Sequence, residues 1–402
     1  MAQTLSVPDF DAYLVTHSLS GARIVNGDVE VRWADGSASV LPSLWLREFS
    51  PDLGTIHPVT REQVIMLIDL PEDLCAAAAD VLPDGRLKVI WHPERLVSLY
   101  HPGWLWAHRP ESADPAGLPS RRLWVQSQAQ HTQLTWVDGA AIRSGDDASF
   151  GNWLTAIHVD GLGFIEKLPH DPDIVPEIPG RIGCLRNSNF GEVWEVRSRP
   201  DADSNAYTSV SLPVHNDLCT REYVPGLQFL FCLHNSCEGG DSLFVDACSV
   251  AEQLRAESPE SFEVLATVAV PFGTRNRDSD HRFCAPVLEL DAAGEVASVR
   301  YTWWLRNPMT GDAATIKRFY AAFTRFQRLA NDPGNQLRMR LRPGDLAGFD
   351  NRRVLHGRTA FDPSSGRRWL RGCYSEREEL ESRLRMFGAS EADAADRARR
   401  PA

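Results

Sequence analysis

The segment Ser211-Leu212-Pro213-Val214-His215-Asn216-Asp217 sets an imidazole and a carboxylate two residues apart. On a strand, that spacing turns both side chains to one face. Together they make two thirds of a 2-His-1-carboxylate site, which holds Fe(II) by one triangular face and leaves the opposite positions open. H-x-D alone is weak, because a lone histidine is more often structural than catalytic. A second segment strengthens it. Pro343-Gly344-Asp345 reads as a turn, and the chain then runs through Phe349-Asp350-Asn351-Arg352-Arg353 to Val354-Leu355-His356-Gly357-Arg358. Arg368 stands twelve residues beyond His356. A guanidinium grips a carboxylate through two parallel hydrogen bonds. A metal-binding histidine followed by an arginine a strand and a turn later suits Fe(II) and a dicarboxylate co-substrate.

Such residues need a rigid frame. Around them, short β-type runs such as Leu227 to Leu233 and Leu243 to Asp246 alternate with helical segments. Ser249-x-x-Glu252 has the form of a capping box, and Ser258-Pro259 that of a helix start. Asp312 to Ala330 carries Ile316, Phe319, Tyr320, Phe323 and Phe326 at helical spacing, a stripe that reads as core packing. The mix predicts a mainly β fold with flanking helices, a sandwich or barrel buttressed on its outside. No G-x-G-x-x-G or G-x-x-x-x-G-K-[ST] motif is present, so nucleotide-binding folds lack their signature.

The first ~110 residues read as a separate β-rich unit. Ile24 to Trp33 alternates around a turn at Asn26-Gly27, Asp35-Gly36 offers a second turn, and Pro83-Asp84-Gly85 precedes a strand from Arg86 to Trp91. Pro, Ser and Gly gather from about residue 109 to 122, as in a linker. The expected division is 1–110 and 120–390, within the two to three domains that a chain of 402 residues suggests.

Acidic residues outnumber basic ones, 54 to 42, for a net charge of −12. That argues against nucleic acid as a partner. No apolar run reaches the ~20 residues of a membrane span. Met1 to Asp11 lacks a signal-peptide pattern, so a cytoplasmic location and no membrane are expected. None of the eight cysteines forms C-x-x-C, and they read as free thiols.

Three stretches then point to a known family: Asn205-Ala206-Tyr207-Thr208 to His215-Asn216-Asp217-Leu218, Pro225-Gly226-Leu227-Gln228, and Gly239-Gly240-Asp241-Ser242-Leu243-Phe244-Val245-Asp246. With Phe349-Asp350-Asn351-Arg352 and His356-Gly357-Arg358, they resemble the gamma-butyrobetaine and trimethyllysine hydroxylases, within the TauD-like oxygenases. Trp33-Ala34-Asp35-Gly36 and Leu44-Trp45-Leu46-Arg47-Glu48 resemble that family's N-terminal accessory domain. The likeness covers roughly residues 20 to 390. It implies a double-stranded β-helix, or jelly roll, that uses Fe(II), 2-oxoglutarate and O2. It implies His215, Asp217 and His356 as iron ligands, with Arg368 and Leu230 at the co-substrate. Oxidative decarboxylation to succinate and CO2 would then drive hydroxylation of an unactivated carbon. A homodimer is the assembly the resemblance implies.

The best-known relatives hold a trimethylammonium group in an aromatic cage, whose positions resemble Phe190, Trp194, Tyr207 and Tyr374. Ring faces attract a quaternary ammonium, which has no N–H to donate. The implied substrate is a small betaine-like molecule, such as gamma-butyrobetaine or a phosphonate analogue of the trimethylaminoethylphosphonate type. Another small molecule with the cage repurposed, or a non-catalytic jelly-roll ligand-binding protein, are the alternative readings. Two departures stand out. The family's carboxylate-binding Asn is missing from Val299 to Arg306, where Arg300 or Arg306 would suit an anionic tail. The closely spaced cysteines that bind zinc after the Trp-Leu-Arg motif are also missing, since Phe49 to Ile56 contains none. No structural zinc is expected.

Overall fold

Asn26 and Gly27 adopt left-handed φ of 53° and 89°. This tight turn joins β1 (Leu19–Val25) to β2 (Asp28–Trp33), as Asn-Gly between alternating residues predicts. β3 (Ala38–Leu41) completes a first antiparallel sheet. A second is formed by β4 (Cys75–Val81), β5 (Leu87–His92) and β6 (Val97–Tyr100). Alternate residues of both sheets face inward. Val29, Val31, Trp33, Leu87, Val89 and Trp91 pack with Trp104 and Leu105 of the helix Pro102–His108. These elements lie in the first of two compact units, which holds the residues up to Leu118 and those from Arg385 on; Pro119–Leu384 form the second. The computed structural model describes residues 5–112, 118–125, 134–197, 208–276 and 278–387.

In the first unit, the stretch after the Trp-Leu-Arg motif is closed by hydrogen bonds. Ser50, Asp52 and Thr55 are buried. Ser50 Oγ bonds to the Asp52 carboxylate, and Thr55 Oγ1 donates to Asp52 Oδ1 at 3.1 Å. Arg47 Nη1 donates to Thr55 Oγ1 at 2.6 Å, while its Nε and Nη2 grip Glu94 at 2.8 and 3.0 Å.

The second unit is mainly β with helices. Its larger sheet runs in the order β7 (Trp136–Asp138), β8 (Leu162–Glu166), β19 (Leu346–Asp350), β11 (Leu227–Asn235), β22 (Arg368–Ser375) and β9 (Val193–Val196). Its smaller sheet runs β10 (Leu212–His215), β20 (Val354–Arg358), β13 (Ser242–Asp246) and β18 (Leu337–Met339). All these pairings are antiparallel except β7 with β8. Side chains of the two sheets meet in one core. Phe244 of β13 packs against Phe349 of β19 and Phe164 of β8, with ring centroids 5.6 and 6.0 Å apart. The helix Asp147–Asp160 covers the outer face of the larger sheet. A Cβ on Gly348 would lie 2.7 Å from the Trp153 ring, so that position needs glycine for the helix to sit so close.

Three further helices build a second core. Ala313–Ala330 buries Phe319, Phe323 and Phe326 as its stripe predicts, but Tyr320, read as part of that stripe, is exposed. Pro259–Thr267 begins after Ser258. Ala247–Glu257 departs from the capping-box reading: its cap is Asp246, whose Oδ1 accepts from Cys248 N and Ser249 N. Asp246 ends a buried strand, and its ion pair with buried Arg353 (2.7 Å) fixes the carboxylate at the helix start, so Ser249 falls inside the helix. All eight cysteines are free thiols. No helix among the described residues is long and apolar enough to cross a membrane.

Candidate active site

His215 closes β10 and lies directly opposite His356 of β20 in the antiparallel register. Asp217 lies beyond the strand end, so the local bend that follows, not strand alternation, turns it toward the histidines. Two buried asparagines build that bend. Asn216 Oδ1 accepts from Tyr301 N at 2.8 Å, and Asn351 Oδ1 accepts from Asp217 N at 2.9 Å. Asn351 Nδ2 donates to the carbonyls of Asp217 and Pro225, at 3.2 and 3.1 Å. Leu218 then takes a left-handed φ of 56°.

The three donor groups converge within 4.8 Å of one another. His215 Nε2 lies 3.3 Å from Asp217 Oδ1, and His356 Nε2 lies 3.8 Å from Asp217 Oδ2. His215 Nδ1 sits 2.9 Å from the Pro213 carbonyl. A carbonyl can only accept, so Nδ1 carries the proton and Nε2 presents its lone pair. Burial, followed by the adjoining His215 ring, pushes the His356 pKa down to about 3, which keeps that imidazole neutral. For Asp217, burial works upward, but His356, His215 and the Tyr374 hydroxyl together hold it below the ordinary carboxylate range. Gln228 Nε2 and Tyr374 Oη each donate to Asp217 Oδ2 at 2.8 Å. Two imidazole nitrogens and an ionised carboxylate on one side of a cleft are a donor set that fits Fe(II).

A cavity of about 70 Å³ adjoins these donors, lined by Leu230, Arg358 and Arg368 among others. Arg368 opens β22 and is buried; its Nε reaches the Gly240 carbonyl at 3.4 Å. Arg358, also buried, donates through Nη2 to the carbonyls of Thr208 and Val210 at 2.7 and 3.0 Å, while its Nε has no partner. Burial and then Arg368 lower its pKa to about 10, and burial lowers that of Arg368. Neither arginine is ion-paired among the described residues. Two buried guanidiniums without a carboxylate carry a desolvation cost that a dianion would offset.

A larger cavity of about 410 Å³ also adjoins the donors. Trp194 and Tyr374 stand side by side in its wall, ring centroids 5.1 Å apart and tilted by 37°. Trp194 pairs with Gly372 across β9 and β22. A Cβ there would lie 2.5 Å from the indole, so glycine lets the ring lie flat on the neighbouring strand. Phe190 lines the same cavity and is 39% exposed. Tyr207 lies outside the described residues.

Arg306 is a correction. It does not line this cavity; its guanidinium lies over Phe323, 4.1 Å from the ring centroid. The segment is a strand only to Val299, and the aromatic face of the helix Ala313–Ala330 captures Arg306. Arg300 is likewise engaged elsewhere, on the carbonyls of Cys219, Arg221 and Glu222.

Sequence reasoning missed Gln228, Asn351 and Arg358, which orient Asp217 or line the small cavity. It also missed Trp304, whose ring meets His215 edge-on at 4.6 Å. The signal available for Gln228 is an amide set within the apolar run Leu227 to Leu233.

The family described as "Taurine catabolism dioxygenase TauD, TfdA family" matches residues 129–374. The chain is 41% identical over 383 residues to a gamma-butyrobetaine dioxygenase of Pseudomonas sp. (strain AK-1), covering 94% of this chain and 98% of that protein. It is 28% identical to a trimethyllysine dioxygenase of Meyerozyma guilliermondii, over 90% and 94% of the two chains. A solved taurine dioxygenase from Burkholderia xenovorans is 17% identical with a TM-score of 0.45, over 57% of this chain and 82% of that one. The chain belongs to the TauD/TfdA family and is a 2-oxoglutarate-dependent dioxygenase.

Proposed function

We propose that the enzyme hydroxylates a small quaternary ammonium acid of the betaine type, gamma-butyrobetaine or a phosphonate analogue, with Fe(II) held by His215, Asp217 and His356. The observation that carries this reading is the ring pair Trp194–Tyr374 beside the metal donors, Tyr374 being bonded to Asp217 itself. An aromatic wall takes a trimethylammonium group by cation–π attraction and by excluding water. The names of the relatives, which act on gamma-butyrobetaine and on trimethyllysine, support the same substrate class. The two facing sheets then form a double-stranded β-helix, and the first unit is its accessory domain.

When bound, Fe(II) and 2-oxoglutarate supply the oxidising power: one O2 and one 2-oxoglutarate are consumed, succinate and CO2 leave, and one oxygen atom enters a C–H bond. The chain positions and excludes. Arg368 binds the distal carboxylate of 2-oxoglutarate, with Leu230 against its methylenes. Gln228 and Tyr374 fix Asp217, and Asn351 fixes the backbone that carries it. Succinate formation with Fe(II), 2-oxoglutarate and a panel of betaines tests the reading. Stimulation by gamma-butyrobetaine or trimethylaminoethylphosphonate is expected. Stimulation only by molecules without a quaternary ammonium would overturn it.

A further inference from the structure

The wall that carries Trp194 and Tyr374 also carries Thr220 and Arg221, in the turn directly after Asp217. Arg300 pins that turn by donating to the carbonyls of Cys219 at 2.7 Å, of Arg221, and of Glu222 at 2.9 Å. Arg221 is held in turn by neutral groups. Its Nη2 donates to Asn189 Oδ1 at 2.6 Å, and its Nη1 meets His281 Nδ1. His281 is kept neutral by desolvation and by the Arg221 charge, which lower its pKa.

No carboxylate among the described residues forms an ion pair with Arg221. Besides Asp217, the acid on this cavity wall is Glu195, which pairs with Arg197 at 3.0 Å. Arg275, exposed on the same wall, adds a second positive charge. Thr220 is 2% exposed, and its Oγ1 has no hydrogen-bond partner. A guanidinium on a pinned turn, oriented by neutral acceptors, keeps its charge and several N–H donors for an anion.

We infer that Arg221, with the Thr220 hydroxyl, binds the anionic end of the substrate, so that the cavity takes a zwitterion with its ammonium on Trp194 and Tyr374. This assignment rests on the quaternary-ammonium reading above. It makes Arg221 a determinant of substrate charge and Arg300 the residue that positions it.

Titration calorimetry under anaerobic conditions, with the full-length protein loaded with Fe(II) and 2-oxoglutarate, tests the assignment. The ligands are gamma-butyrobetaine, trimethylaminoethylphosphonate and the carboxamide of the first, which keeps the trimethylammonium and has an uncharged tail. Arg221→Gln should weaken binding of whichever acid the wild type takes by about tenfold or more, ~1.4 kcal/mol, and change carboxamide binding less than about twofold. Arg221→Lys, which keeps the charge and loses the fork, should recover part of the loss. An Arg221→Gln protein that binds the acid as the wild type does, or that loses acid and carboxamide equally, overturns the assignment alone. A wild type that binds none of the three ligands overturns the quaternary-ammonium reading and this assignment with it.

Discussion

Two clusters of buried polar side chains among the described residues, one in each unit, differ in whether their members satisfy one another. In the first unit, Asp52 accepts from Ser50 and Thr55, Thr55 accepts from Arg47, and Arg47 is forked onto Glu94. In the second unit, the cluster around His215, Asp217 and His356 leaves capacity over. His356 Nδ1, Gln228 Oε1 and Arg358 Nε are buried without partners. A closed network of this kind rigidifies a fold, whereas unmet donors and acceptors cost free energy until something fills them. The leftover groups belong to residues lining the small cavity, where the reading proposed above seats the dicarboxylate beside the metal. Asp52 and its partners mark where a staple is built from side chains.

That contrast can be broken most sharply at the donors. His356→Ala should lower turnover by more than the ~100-fold that losing a ligand's outer hydrogen-bond partner costs. Its thermal midpoint should stay within a few degrees of the wild type. Near-normal succinate yield would remove His356 from the site. At the next level, Arg368→Lys keeps the charge but loses the fork. A charge-assisted hydrogen bond is worth ~1.5–3 kcal/mol, so the apparent 2-oxoglutarate affinity should fall ~10- to 100-fold while iron binding is kept. If Arg367 or Arg371 variants show that loss and Arg368→Lys does not, the anchor lies elsewhere on β22.

The opposite pattern is expected in the first unit. Asp52→Ala strands the Ser50 and Thr55 hydroxyls and should cost ~1–3 kcal/mol of stability, read as a lowered denaturation midpoint. Turnover per folded molecule should be unchanged; a selective loss of turnover would join the two clusters functionally. The smallest effect sharpens the comparison. Trp194→Leu removes a cation–π contact worth ~0.5–2 kcal/mol, so substrate affinity should fall ~2- to 30-fold with 2-oxoglutarate binding intact. The neutral tert-butyl analogue is the control. If it binds the wild type as well as the trimethylammonium compound does, shape alone is selected.

Local chemistry made parts of this architecture legible in advance. The Asn26-Gly27 hairpin and the buried stripe of Phe319, Phe323 and Phe326 follow from φ preference and periodicity, which need no distant partner. His215, Asp217 and His356 were legible as a set because few chemistries need two imidazoles and a carboxylate in turn-and-strand settings. What escaped depends on tertiary partners. Asn351 matters because its amide meets a backbone N–H more than a hundred residues away along the chain. Arg306 misleads because the chain leaves its strand at Val299 and the helix Ala313–Ala330 offers its guanidinium aromatic faces. The helix start at Asp246 is hidden for the same reason: Arg353, which fixes that carboxylate, comes from the turn between β19 and β20, more than a hundred residues along the chain.

The pairing of β10 with β20 sets His215 opposite His356, although the two are made at very different times. A chain leaving the ribosome presents His215 and Asp217 long before His356 exists. Even in the finished polypeptide, the third donor arrives only when β20 docks between β10 and β13, a non-local step that waits on most of the fold. With the iron ligands proposed above, an immature chain would offer two donors and no closed cleft, so the centre that would activate oxygen is complete only once β20 is in place.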